Sequence, residues 1–188
     1  GYDFPRPGVR LAQLREAVQI IKAMWLEPRA TYQGDHFSVN KVILEPKPIQ
    51  APRPRILIGG GGEKVTLNIV AHEADMCNFA FAGPADFERK VGALRDHCQR
   101  AGRDVRGIEI TKSARIDIAS SRERAEEKWR ARGGAQSQLH SLTGTPDEVI
   151  RMIREFESLG MQGLFVSCPT GDAETRELFA EKVMSAFR

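Results

Sequence analysis

Residues 55–79 read RILIGGGGEKVTLNIVAHEADMCNF, and the four glycines within them, Gly59-Gly60-Gly61-Gly62, carry the clearest chemical possibility in the chain. Glycine loses more backbone freedom on folding than any other residue, so four in succession need a reason. They follow a short apolar run, Ile56-Leu57-Ile58, and lead into a helical pattern from Glu63. Bare amides at the end of a strand can approach an anion closely, and a helix beginning there adds the positive end of its dipole. One reading is therefore a phosphate site; the other is a tight turn with close helix packing, and the residues alone leave both open. Spacing does exclude two nucleotide motifs. A Walker loop needs Gly-Lys-Ser/Thr, whereas here Glu63 precedes Lys64 and Val65 follows it. The dinucleotide fingerprint needs a small residue where Lys64 stands, counting from Gly59 and Gly61.

The remaining reactive side chains are scattered. Lys64 could pair with a phosphate or simply be solvated in a first helical turn. Asp75 could accept amide hydrogen bonds from the glycine turn, or serve structure alone. His97 and Cys98 are adjacent, so on a helix they point in different directions and form no nucleophile pair. His36 and His72 have no second ligand at metal spacing, and no metal site is expected. His140 lies in a polar stretch, GGAQSQLHSLTGT, that reads as a connection or as a lid. Ser167 and Cys168, before Pro169, end a strand as a turn or as neighbours of a ligand. Cys77, Cys98 and Cys168 show no CxxC spacing and sit in apolar runs, so buried thiols in a reducing, cytoplasmic setting are expected.

The net charge of +3 is the small difference between 28 basic and 25 acidic residues, and the two signs are interspersed. That argues against a nucleic-acid surface. The run from Arg122 to Arg132 mixes signs and reads as a solvated helix face. No apolar stretch approaches the roughly 18–20 residues of a membrane span, and no signal segment opens the chain, so neither membrane nor nucleic acid is an expected partner. A length of 188 residues suits a single domain spanning 1–188. The opening Gly1-Tyr2-Asp3-Phe4-Pro5 lacks an initiator methionine and reads like a loop feeding a helix, so a missing amino-terminal portion is expected.

The elements that must position these groups follow from periodicity. Leu11, Leu14, Val18, Ile21 and Trp25 recur at three- and four-residue steps, giving a packed helix that ends before Pro28. A hairpin is expected around Gly34-Asp35, and EPKPIQAPRPR is an extended surface connection, so about 28–55 reads as a proline-rich insertion. Strands are expected at 56–58, 74–79, 108–118 and 163–168, and helices at 63–73, after Gly83-Pro84, in SRERAEEKWRARGG, after Thr145 and over 172–187. Thr145-Pro146-Asp147-Glu148 is the best local signal, a capping box with proline at the first helical position. Four apolar strands, each followed by a helix, imply an α/β fold with a parallel sheet, because parallel neighbours need crossover connections. Either the sheet is small and doubly wound, or it is half of an eight-stranded barrel. Both architectures gather ligands at the carboxyl ends of the strands, where the glycines lie.

ILIGGGGEKVTLNIVAHEADMCNF, followed by KVGALRDHCQRAGRD and preceded by RLAQLREAVQIIKAMW and EPKPIQAPRPRILIGG, closely resembles the carboxyl-terminal half of luciferase-like oxidoreductases, best of all their coenzyme F420-dependent branch. GTPDEVIRMIREFESLGMQGLFV is similar to that family's closing barrel segment. The resemblance implies the carboxyl-terminal half of a (β/α)8 TIM barrel, comprising strands five to eight. It further implies a flavin-type cofactor, the deazaflavin F420 or alternatively flavin mononucleotide (FMN), at the carboxyl ends of the strands. Carried over by position, Gly59, Gly60 and Gly61 would hold the phosphate-bearing tail, and Asn78, Phe79 and Ala80 would border it. Some relatives have a hydroxyl and a lysine at that border; NFAFAG offers neither. Groups touching the redox ring come mainly from the first four strands, so no catalytic residue is nominated.

The expected activity is hydride transfer between F420 and a small organic substrate. An FMN-dependent monooxygenase, and a non-catalytic flavin- or phosphate-binding module or truncated remnant, are the alternatives. A homodimer is an open possibility for assembly.

Overall fold

A computed structural model describes residue 1, residues 3–134 and residues 141–187. The first helix, α1 (Pro7–Leu26), starts with proline in its first turn, where the missing N–H costs nothing, and ends ahead of Pro28. It packs Leu14, Val18 and Trp25 inward. The expected hairpin is present as β1 (Ala30–Gln33) and β2 (Ser38–Val42), paired antiparallel from Ala30↔Val42 to Gln33↔Ser38. What anchors it is a carboxylate. Glu16 of α1 accepts the amides of Asp35 (3.0 Å), His36 (3.0 Å) and Phe37 (2.8 Å), and a Cβ on Gly34 would collide with that carboxylate. Burial pushes the Glu16 pKa up, but the three amides outweigh it and hold the group below the usual carboxylate range. Glu16→Ala is expected to lower the melting temperature and to speed amide exchange at 34–37 ahead of the rest of the chain; hairpin amides as protected as in the parent would refute the anchor. The proline segment runs on without secondary structure and contains two cis peptides, Glu45–Pro46 and Ala51–Pro52.

Beyond it lie β3 (Leu57–Gly59), α2 (Thr66–Glu73), β4 (Met76–Ala80), α3 (Pro84–Arg100), β5 (Glu109–Ile118) and α4 (Arg122–Ala131). They are followed by β6 (Ser141–Gly144), α5 (Pro146–Ser158), β7 (Gly163–Ser167) and α6 (Ala173–Leu178). Within the main sheet every pairing is parallel, with β3 beside β4, β4 beside β5 and β5 beside β7. These are the four strands expected from the sequence, in the order of consecutive barrel staves. The described residues form an α/β parallel sheet covered by helices, arranged as part of a (β/α)8 barrel.

Three elements depart most from expectation. Helix α2 begins at Thr66 rather than Glu63, because Val65 at its start offers no capping side chain; residues 63–65 form a turn closed by Leu67 N–H on the Gly62 carbonyl (3.1 Å). The closing helix is α6 only to Leu178, then a wider-pitched turn (Phe179–Val183) and a tighter one (Met184–Phe187), which bring Val183 into the core. The third difference is β6. It sits in the stretch read as a polar connection and pairs with the far half of β5, from Arg115↔Ser141 to Ile118↔Gly144. Leu142 is its one large apolar side chain, too little for alternation to show. His140 and the rest of residues 135–140 lie outside the described residues.

The helix termini follow their sequence signals. Thr145 and Glu148 form the expected capping box, with Thr145 N–H on the Glu148 carboxylate at 2.9 Å. Helix α3 ends with Gly102 at φ +64°, Gly102 N–H on the Gln99 carbonyl and Arg103 N–H on the Cys98 carbonyl, a Schellman close.

Alternation divides the sheet into two faces. Ile58, Cys77, Phe79 and Ile110 point to the helices and meet Leu67, Val70, Phe87, Val91 and Phe156. Phe79, Phe87 and Phe156 form an edge-to-face chain with centroids 5.4 Å apart at each step. Leu57, Gly59, Met76, Asn78, Ala80, Thr111, Ser113, Phe165 and Ser167 occupy the other face, the concave one. There Leu57 and Phe165 are 40% and 51% exposed, as expected of an incompletely enclosed barrel interior.

Candidate functional site

The carboxyl ends of β3, β4, β5 and β7 meet at one rim. Gly59 lies opposite Asn78, and the Gly60 N–H donates to the Asn78 carbonyl (3.1 Å), so the glycine turn and the end of β4 are one unit. Gly59 has no atom within 4 Å of the place where a side chain would stand. Gly60, at φ +131°, takes a conformation that L side chains rarely adopt. Gly62 is packed on Thr66, and Gly61 lies beneath the stem of Lys90. Among the described residues the amides of Gly61, Gly62, Glu63, Lys64 and Val65 have no acceptor. These successive free donors, the last of them the orphan amides of any helix start, give the turn anion-binding potential.

A polar row crosses the concave face beside this turn. Thr111 donates to the Cys77 carbonyl (2.7 Å) and the Asn78 side-chain oxygen (3.1 Å), while the Asn78 amide donates to Ser113 Oγ (2.9 Å). Ser113 therefore keeps its own proton for another acceptor. It lines a cleft of about 290 Å³ with Ala80, Phe81, Phe165 and Ser167. Of the residues expected to border a cofactor tail, Asn78 and Ala80 present side chains to this face. Phe79 turns its ring into the core and offers only main chain. Thr111 and Ser113 escaped the sequence reading, although alternation along IEITKSARIDI places them on one side of the strand.

The rim is held from behind by β5 and α3. Phe81, at φ +56°, donates its N–H to the Ser113 carbonyl (3.0 Å), and Lys112 reaches across the helix side of the sheet to the Ala82 carbonyl. Lys112 is fully buried, with its ammonium 4.6 Å from the Phe156 ring centroid; burial pushes its pKa down to about 8, against the attraction of Asp86. His97 supports the glycine turn: its Nε2 contacts the Glu63 carbonyl at 2.7 Å, so it is the donor. Nδ1 then accepts from Asn68 (3.3 Å) and Arg100 (2.9 Å). Burial, then the Arg100 charge, lowers the His97 pKa, which fits this neutral form.

Other candidates resolve structurally. Asp75 sits at the opposite end of β3 from the glycines, accepting the Ile56 amide (2.7 Å) and both guanidinium nitrogens of Arg53, and so does not orient the turn. Lys64 is exposed. Cys77 is buried, which pushes its thiol up to about 12 and leaves it unreactive; Cys98 is buried in the core. Among the described residues no group of three His, Cys, Asp or Glu could hold a metal. No described helix is long and apolar enough to cross a membrane. The charged helix α4 is not wholly solvated, since Lys128 and the following Arg132 fold onto the carboxylates of Asp172 and Asp117.

A family model described as luciferase-like monooxygenase matches residues 1–138. The chain belongs to that family. A curated relative, the F420-dependent glucose-6-phosphate dehydrogenase of Nakamurella multipartita, is 24% identical over 218 residues, covering 100% of this chain and 63% of its own length. Among solved structures, an F420-dependent secondary alcohol dehydrogenase in complex with an F420–acetone adduct superposes with a TM-score of 0.82 at 17% identity, over 97% of this chain and 64% of that one. A riboflavin lyase with modified FMN and riboflavin also gives 0.82, at 15% identity, over 100% of this chain and 59% of that one. This luciferase-like chain thus spans about three fifths of the length of these three proteins, and it shares the fold of the two solved structures.

Proposed function

We propose that the rim holds the phosphate-bearing tail of a flavin-type cofactor, coenzyme F420, and that the chain is part of an oxidoreductase moving a hydride between the deazaflavin and a small organic substrate. The observation that carries this reading is the stereochemistry of the turn: open space over Gly59 and a run of amides from Gly61 to Val65 with no acceptor among the described residues, at the carboxyl rim of a luciferase-like chain. F420-dependent enzymes among the relatives support the choice of cofactor. When bound, the deazaflavin supplies the two-electron chemistry; the protein's part is binding, orientation and electrostatics. Gly59, Gly60 and Gly61 would present main chain to the tail, Asn78 and Ala80 would border it, and the Ser113 hydroxyl would donate into the adjoining cleft. A cytoplasmic setting suits the three free cysteines.

FMN is the second reading, supported by the riboflavin lyase neighbour with its modified FMN. Titration of the complete polypeptide with F420 and with FMN, followed by attempted reduction of the bound cofactor by candidate donors, separates the readings. Tighter binding of F420 with reduction is the expected result. Preference for FMN selects the second reading, binding without reduction assigns a binding module, and binding of neither removes all of them.

A further inference from the structure

We infer that Lys90 is a cofactor-binding residue: a cation on α3 that moves from Asp86 to a phosphate seated on the glycine turn. The inference rests on the tail site proposed above and adds a charged side chain to it. Its geometric basis is Gly61. A Cβ there would overlap Lys90 Cε, and Lys90 Nζ lies 3.4 Å from the same point. Glycine at 61 therefore makes room for a lysine from another element, and the lysine carries its charge to the turn whose amides lack acceptors.

Helix α3 is built to face the turn. Asp86, Arg89, Lys90 and His97 recur at helical spacing, with Arg89 paired to Glu63 and His97 bonded to the Glu63 carbonyl. Lys90 is only 13% exposed, whereas Asp86, its partner four residues earlier, is 37% exposed and also bound by Arg89. A pair of that kind contributes little, and releasing Lys90 leaves Asp86 with Arg89 as counter-ion. A phosphate on the turn would offer a sheltered lysine a stronger acceptor, with the free amides completing its shell. The border residues of β4 provide no cation, so Lys90 supplies the charge-assisted contact from the helix instead. The ligand class is a phosphate ester, the mono-ester of FMN or the diester of F420.

The test compares each cofactor with its phosphate-free core: FMN against riboflavin, and F420 against its deazaflavin chromophore, by calorimetric titration of the parent chain, Lys90→Met and Asp86→Asn. Lys90→Met is expected to weaken the phosphate-bearing ligand about tenfold, the scale of one lost charge-assisted hydrogen bond, and to leave the core's affinity unchanged. Asp86→Asn, which frees the lysine, is expected to tighten the phosphate-bearing ligand several-fold, and it keeps the test decisive should Lys90→Met fold poorly. Equal weakening of both ligands, or no change in either variant while the parent binds, overturns the role of Lys90 and leaves the tail site standing. A parent chain that binds neither cofactor overturns the tail site and the inference together.

Discussion

Asp172→Ala lowers the unfolding free energy by about 3 kcal/mol, the scale of breaking a buried ion pair, and the melting temperature by roughly 10 °C. The reason is the number of donors that converge on one carboxylate. Asp172 accepts from Lys128 Nζ (2.9 Å), Arg132 Nη2 (2.8 Å), the Thr175 amide (3.1 Å) and the Thr175 hydroxyl (2.7 Å), with its side chain 4% exposed. Arg132 also binds Asp117, whose side chain is fully buried, and Thr175 Oγ1 in turn accepts the Ile118 N–H (3.0 Å). One carboxylate thus ties α4, the end of β5 and the start of α6 together. Removing it leaves Arg132 with Asp117 and Lys128 with the Ile118 carbonyl and Glu174, so both cations lose one partner and keep another, which places the effect at the lower end of the usual range.

The same group gives the loss a pH signature. Burial pushes the Asp172 pKa up, but the bonds from Lys128, Thr175 and Arg132 outweigh it and hold the group far below the usual carboxylate range. A depressed folded-state value means the stabilisation is fully present above the unfolded value of about 3.9 and drains away as pH falls from there toward the folded one. The difference between parent and Asp172→Ala, measured by urea unfolding, is therefore expected to be constant from pH 7 to 5 and to shrink below about pH 4. A difference under about 1 kcal/mol at pH 7 would show that the cluster is not what joins these elements.

That cluster was illegible in the sequence, and the contrast with the capping box shows why. Thr145, Pro146 and Glu148 act on their own neighbours, so fixed offsets along the chain reveal both the contact and its purpose. Asp117, Lys128, Arg132 and Asp172 meet only because β5, α4 and α6 pack, and in linear order the two cations belong to a charged run that looks solvated. The four main strands were legible through their apolar runs. Strand β6 was not, since Ser141, Thr143 and Gly144 carry no apolar pattern and pairing with β5 alone makes them extended. The glycine turn combined both situations. Its glycines marked a place where side chains are excluded, but what excludes them differs by position: open rim at Gly59, backbone conformation at Gly60, Lys90 from 29 residues away at Gly61, and Thr66 at Gly62.

Those differences make the second large effect diagnostic. Gly59→Val is expected to reduce affinity for the tail-bearing cofactor about 100-fold, the equivalent of losing two charge-assisted hydrogen bonds at about 1.5 kcal/mol each, while the melting temperature moves by no more than about 2 °C. Valine suits a strand, and nothing lies within 4 Å of the new Cβ, so the fold has little reason to respond. A ligand tail lying against Gly59 would meet two methyl groups. Gly60→Ala should behave in the opposite way: at φ +131° the new side chain strains the backbone by about 1–3 kcal/mol and presses on Thr66 Cγ2 at 3.3 Å, so stability falls first. Calorimetric titration and thermal melts on the two variants read both quantities. Full affinity in a well-folded Gly59→Val chain would move the tail off this glycine, because no rearrangement of the neighbouring residues can restore a surface that the valine itself covers.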